Sequence, residues 1–154
     1  LAGIGVLQLA EALLERRQIA IGYADFITLA GAPRGVGGVA ARLRAKLDKA
    51  IEAAGGEVVA KAAPRLATIG SYRMPGISAS SQLIAFDLAG ISVSAGSACS
   101  SGTLKSSHVL TAMGWDAKSA GEVIRVSFGP QTSEADIDRF MAAWTAIRER
   151  AQAA

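Results

Sequence analysis

The sequence has a single cysteine, Cys99, and a single histidine, His108, in 154 residues. One thiol excludes an intramolecular disulfide and a zinc site built on several cysteines. It fits a reducing compartment, so a cytoplasmic location is expected. Aromatic residues make up only 5% of the chain, so the core must be built largely from Ala, Leu, Ile and Val. Uninterrupted apolar runs are missing too. The longest apolar stretches are broken by Glu11 or Asp25, so no membrane-spanning helix is expected. No secretory or transit pattern is visible. Charge of one sign is scarce: the net charge is +3, and Arg42, Arg44, Lys46 and Lys49 are interleaved with Asp48 and Glu52. That pattern gives no reason to expect a nucleic-acid partner. Paired carboxylates, metal-ligand clusters and phosphate loops are also missing, since Gly35-Val36-Gly37-Gly38 follows no strand.

The residues that are present fit an α+β domain. Hydrophobic residues are 51% and charged residues 19% of the chain, which excludes a disordered or fibrous one. Residues 1–17 read as a helix with Ile4, Val6, Leu7, Leu9 and Leu13 on nearly all faces, a pattern expected of a helix buried in something larger. This, and a first residue that is not methionine, suggests a piece of a longer chain. Residues 18–38 mix an apolar run with breakers. Val39, Leu43, Leu47, Ala50, Ile51 and Ala54 recur at helical spacing, closed by Gly55-Gly56, with Arg44 and Asp48 spaced to pair.

Strands are expected over 57–60, 66–74, 91–94 and 122–128, and helices over 78–90 and from Ser106 or Ser107 to Gly114. A last helix opens at Ser133 with Asp136 as a capping box and carries Ile137, Phe140, Met141, Trp144 and Ile147 on one face. The expected architecture is a three- or four-stranded, mainly antiparallel sheet covered by helices on one side.

Four residues could carry chemistry. Cys99 lies in Ser94-Ala95-Gly96-Ser97-Ala98-Cys99-Ser100-Ser101-Gly102, where small neighbours leave the thiol uncovered. It reads either as a thiolate nucleophile or sulfur carrier, or as an inert small residue. Arg125, within Val123-Ile124-Arg125-Val126-Ser127-Phe128-Gly129-Pro130, reads as a buried arginine held either by a ligand carboxylate or by a structural acid. His108 opens a helix, and a surface or packing role suits it better than a dyad with Cys99. Lys105 could raise the positive potential near the thiol, or be a solvated loop lysine.

Taken together, the cysteine loop, Ser107-His108-Val109-Leu110-Thr111-Ala112-Met113-Gly114, the Ile-Arg-Val-Ser-Phe-Gly-Pro run and Thr132-Ser133-Glu134-Ala135-Asp136-Ile137-Asp138 resemble the C-terminal part of cysteine desulfurases. These are pyridoxal-phosphate enzymes of aminotransferase class V, fold type I. The resemblance implies a connecting helix and loop over 1–38, from a large domain that is absent, and a small C-terminal domain over 39–154. It implies that L-cysteine is converted to L-alanine and a persulfide on Cys99, with Arg125 holding the substrate carboxylate. A sulfur-acceptor protein, as in iron–sulfur cluster assembly, and a homodimer of the complete enzyme follow from the same resemblance.

The lysine that would hold pyridoxal phosphate lies upstream in the family, and Lys46, Lys49, Lys61, Lys105 and Lys118 are in other contexts. No cofactor-binding residue is therefore assigned to this chain, and the isolated chain is expected to be inactive. Ala67-Thr68 stands where the family often has Asn-Thr. The alternatives are a selenocysteine lyase of the same fold, a non-catalytic interaction module, and a thiol sulfurtransferase that works without pyridoxal phosphate.

Overall fold

The computed structural model describes residues 36–96 and 107–153. The helix expected over 1–17, the stretch 18–35, Cys99 and Lys105 lie outside the described residues. The described elements run α1 (Val36–Ala53), β1 (Glu57–Val58), β2 (Ile69–Arg73), α2 (Ala79–Leu88), β3 (Ser94–Ala95), α3 (His108–Ala112), α4 (Ala117–Ala120), β4 (Val123–Ser127) and α5 (Glu134–Gln152).

The strands form one sheet in the order β1-β2-β4-β3, and every pair is antiparallel. Alternation decides what each face carries. Gly70, Tyr72, Ile124 and Val126 point to one side and are buried. Ser71, Arg73, Val123 and Arg125 point to the other. On the first side the sheet packs against Leu43, Leu47 and Ile51 of α1, Phe86 of α2, and Ile137, Phe140, Trp144 and Ile147 of α5. Phe86 and Phe140 stack at a centroid distance of 4.7 Å and bind α2 to α5. This is the expected single helical layer. The opposite face carries a smaller cluster, in which Val59, Leu110, Ala120 and Val123 seat α3 and α4 over one end of the sheet.

The helix ends follow from local chemistry. Ser78 caps α2, Ser107 caps α3, and Ser133 with Asp136 forms the expected capping box of α5. At the end of α2, Gly90 takes φ +69°, the Gly90 N–H donates to Asp87 O, and the Ile91 N–H donates to Phe86 O. Those bonds and the buried Phe86 and Ile91 side chains make a Schellman ending. Gly55, at φ +72°, closes α1 in the same way through Glu52 and Ile51.

Several expectations are corrected. The helix read from Val39 begins at Val36, and Val39 is exposed while Ala40 is buried. β2 begins at Ile69 rather than Leu66, because the segment before it is tied to α1: Arg65 donates to Asp48 at 2.8 Å, and Arg44 donates to the Leu66 carbonyl. Asp48 therefore pairs with Arg65, not with Arg44 as helical spacing suggested. The strand read over 91–94 is only Ser94–Ala95, because the Schellman ending takes the Ile91 N–H and the Ile91 side chain enters the core. The short helix α4 was not expected at all.

Candidate functional site

Arg125 sits at the middle of β4, the only strand in the sheet with both Ser71 of β2 and Ser94 of β3 as register partners of one residue. Its side chain is exposed, which corrects the reading of a buried arginine. The strand is apolar because Ile124 and Val126 fill the core and Val123 the smaller cluster; Arg125 itself points to the open face. No acidic side chain among the described residues pairs with it.

Its neighbour Arg73 makes the contrast. Arg73 lies on the same face, in register with Val123. Its Nε donates to Glu122 Oε2 and its NH1 group to Glu57 Oε1, both at 2.8 Å. The buried Glu122 carboxylate lifts the Arg73 pKa against the opposing effect of burial, which is the larger influence. One arginine of this face is thus used up by the fold, and the other keeps a free planar fork of the kind that binds a carboxylate.

The ends of the cysteine-bearing segment are anchored around that arginine. On one side, Ser94 and Ala95 pair with Arg125 and Ile124. On the other, Leu110 of α3 packs with Val123, on the same sheet face as Arg125. Cys99 and Lys105 lie between these anchors, outside the described residues. His108 is exposed on the first turn of α3, consistent with a surface position. Sequence reasoning missed Ser71 and Ser94 as neighbours of Arg125. The signal was the small polar residue in each strand, but strand register is set by tertiary packing.

Residues 35–140 match the family model of aminotransferase class-V. The chain belongs to that family. Within 104 aligned residues, this class-V chain is 38% identical to an IscS-like cysteine desulfurase of Mycobacterium tuberculosis, over 64% of this chain and 26% of that protein. Among solved structures it is similar to a NifS-like protein from Rickettsia africae, with a TM-score of 0.62 and 30% identity over 71% of this chain and 28% of that one. A second NifS-like protein gives a TM-score of 0.64 and 25% identity, over 74% and 28% of the two chains. The class-V chain thus spans about a quarter of the length of the relatives it matches. The α+β fold expected from sequence is the fold of a segment of these fold type I enzymes.

Pyridoxal phosphate dependence is a property of that family, and the cofactor is held there through a lysine. The strands around Arg125 carry no lysine among the described residues. Lys46 on α1 is salt-bridged to Glu134 and Asp138 of α5, in the helical layer behind the sheet, and Asp138 is the main cause that raises its pKa. Lys61 is salt-bridged to Glu52. The described residues do not by themselves fit the cofactor; they fit a carboxylate-bearing substrate. No described helix is long and apolar enough to cross a membrane, and no cluster of metal-binding side chains occurs among the described residues.

Proposed function

We propose that this class-V chain is the small-domain part of a cysteine desulfurase, in which Arg125 holds the carboxylate of L-cysteine and Cys99 receives its sulfur. The observation that carries this reading is the free Arg125 fork in register with Ser94, the residue that opens the Cys99 segment. Cys99 follows Ala95 by four positions, so covalent geometry keeps it within about 14 Å of the strand end. That distance suits a small amino acid anchored at one end and attacked at the other.

The role of each residue follows from its chemistry. Arg125 stays charged at any working pH and can bind both carboxylate oxygens at once. Cys99 acts as a thiolate: its sulfur bonds to the substrate sulfur while the carbon–sulfur bond breaks, leaving the persulfide on Cys99 and the carbon skeleton to become L-alanine. The cofactor, when bound, supplies the electron sink for that carbon. Small residues around Cys99 leave room for an acceptor protein to reach the persulfide. Residues 1–38 would connect to the cofactor-bearing large domain, whose counterpart the relatives contain, and the complete enzyme would be a dimer.

The test is made on the full-length protein that carries this sequence, loaded with pyridoxal phosphate. L-cysteine should yield L-alanine and sulfide in the presence of a thiol reductant. Mass spectrometry of the unreduced protein should place one extra sulfur atom on the peptide containing Cys99. Alanine formation with no sulfur on that peptide, or no turnover of L-cysteine at all, overturns the reading.

A further inference from the structure

Three residues on three different strands form one row across the open face of the sheet. Ser71 on β2 lies opposite Arg125, and Ser94 on β3 lies opposite it on the other side. Directly opposed residues in an antiparallel pair have their Cβ atoms roughly 4.5–5.5 Å apart, within reach of a long, flexible side chain. The hydroxyls therefore flank the stem of Arg125 on both sides. The two serines differ in exposure: Ser94 is exposed and Ser71 is half-buried. They also differ in continuation, since β3 runs on toward Cys99 and β2 does not.

An exposed arginine alone is a weak anchor for a carboxylate, because water screens the pair and the long side chain must be ordered. A short hydroxyl beside it changes the site in two ways. It leaves space for the arginine stem to lie along the sheet, and it offers a second, directed donor to an oxygen of the same carboxylate. We infer that Ser94 is a positioning residue of this kind: its Oγ–H donates to the substrate carboxylate that Arg125 holds, and so turns the substrate's sulfur end along β3 toward Cys99. The inference rests on the desulfurase reading and deepens it, because it names the feature that makes the site selective for substrates with an α-carboxylate. Ser71 fills the other side of the row as a small spacer.

The experiment compares Ser94→Ala, Ser94→Thr and Arg125→Ala in the full-length, cofactor-loaded protein, with L-cysteine and with cysteamine, which lacks the carboxylate. Losing a hydrogen bond to a charged group should raise KM for L-cysteine about tenfold in Ser94→Ala while kcat stays within about twofold. Ser94→Thr keeps the hydroxyl and should restore KM. KM for cysteamine, which has no carboxylate to lose, should not move in either variant. Ser94 is exposed, so unchanged thermal unfolding is expected in all of these proteins.

The inference is overturned if Arg125→Ala raises KM for L-cysteine but Ser94→Ala does not, because the arginine then works alone. It is also overturned if Ser94→Ala weakens L-cysteine and cysteamine equally, since that marks a general effect on the loop. If Arg125→Ala leaves KM unchanged as well, the underlying assignment of the carboxylate site fails rather than the role of Ser94.

Discussion

Tyr72 on β2 donates its hydroxyl to Asp48 on α1, Oη to Oδ1 at 2.9 Å, inside the main core. The carboxylate also takes Arg65 NH2 at 2.8 Å, so sheet, helix and the segment before β2 meet at one acid. Burial first, and the Asp48 charge second, push the Tyr72 phenol far above its ordinary value of 10.0. The folded state therefore holds this proton more tightly than the unfolded state does. Its contribution is complete below about pH 10 and is lost as pH rises above that. Tyr72→Phe should lower stability by about 2 kcal/mol at neutral pH. It should also flatten the alkaline limb of a denaturation-midpoint-against-pH curve; parallel limbs for the two proteins would refute the assignment.

Gly70 lies under that same tyrosine. A Cβ added there would stand 2.2 Å from Tyr72 Oη and 2.5 Å from its ring carbon. The ring is fully buried and its hydroxyl is committed to Asp48, so it cannot step aside without breaking the bond. Gly70→Ala should destabilise by about 2 kcal/mol and change the near-UV circular dichroism of the tyrosine. An unchanged melting temperature would show that the tyrosine has another position available.

The Arg73–Glu122 pair gives a different energetic outcome. Glu122 is 4% exposed, and removing Arg73 would leave its charge without a salt-bridge partner among the described residues. Arg73→Met should therefore destabilise by about 3 kcal/mol. Adding Glu122→Leu should recover a large part of that loss, because the stranded charge goes with it. Urea unfolding of the two single variants and the double variant measures the coupling, and simple additivity would contradict it.

Arg125→Lys should separate the roles of the two arginines. The side chain is exposed and unpaired among the described residues, so the unfolding midpoint should stay within about 0.5 kcal/mol of wild type. A point charge cannot reproduce the fork, so KM for L-cysteine in the full-length protein should rise tenfold or more. A stability loss comparable with that of Arg73→Met would mean that Arg125 serves the fold.

The chain of residues 1–154 taken alone should neither retain pyridoxal phosphate through a Schiff base nor release sulfide from L-cysteine. Absorbance after gel filtration with the cofactor, and a sulfide assay, check both. Sulfide release from L-cysteine by this chain alone would contradict the expectation. Sulfur uptake by Cys99 from thiosulfate would instead favour the cofactor-independent transferase.

Local chemistry made much of this fold legible in advance. Ser78, Ser107 and Ser133 are good caps wherever they fall, and Gly55 and Gly90 permit the left-handed turn that ends a helix, so those boundaries could be read from a few residues. The partners of Asp48 could not. Arg65 and Tyr72 are 17 and 24 positions away, and only the packing of α1 on β2 brings them closer to the carboxylate than Arg44, one helical turn away. The exposure of Arg125 was hidden for a related reason. Its apolar neighbours Ile124 and Val126 made the whole strand look buried, yet alternation sends them to the core and the arginine away from it. The helix α4 is only four residues long, too short for a periodic apolar signal, although Asp116 accepting the Ser119 N–H is a readable cap.

The Schellman ending at Gly90 has a mechanical side. Between it and the cysteine-bearing segment lie only the two ladder pairs of β3, at the outer edge of the sheet. A pull on that segment can peel those two pairs without disturbing β2 or β4, and then meets Ile91, locked into the core beside Phe86. The sheet thus has a short sacrificial seam backed by a firm stop, so work done on the cysteine by an acceptor need not be transmitted to Tyr72, Trp144 or the rest of the interior. Amide hydrogen exchange should register this as early opening at Ser94 and Ala95 while the centre of the sheet stays protected.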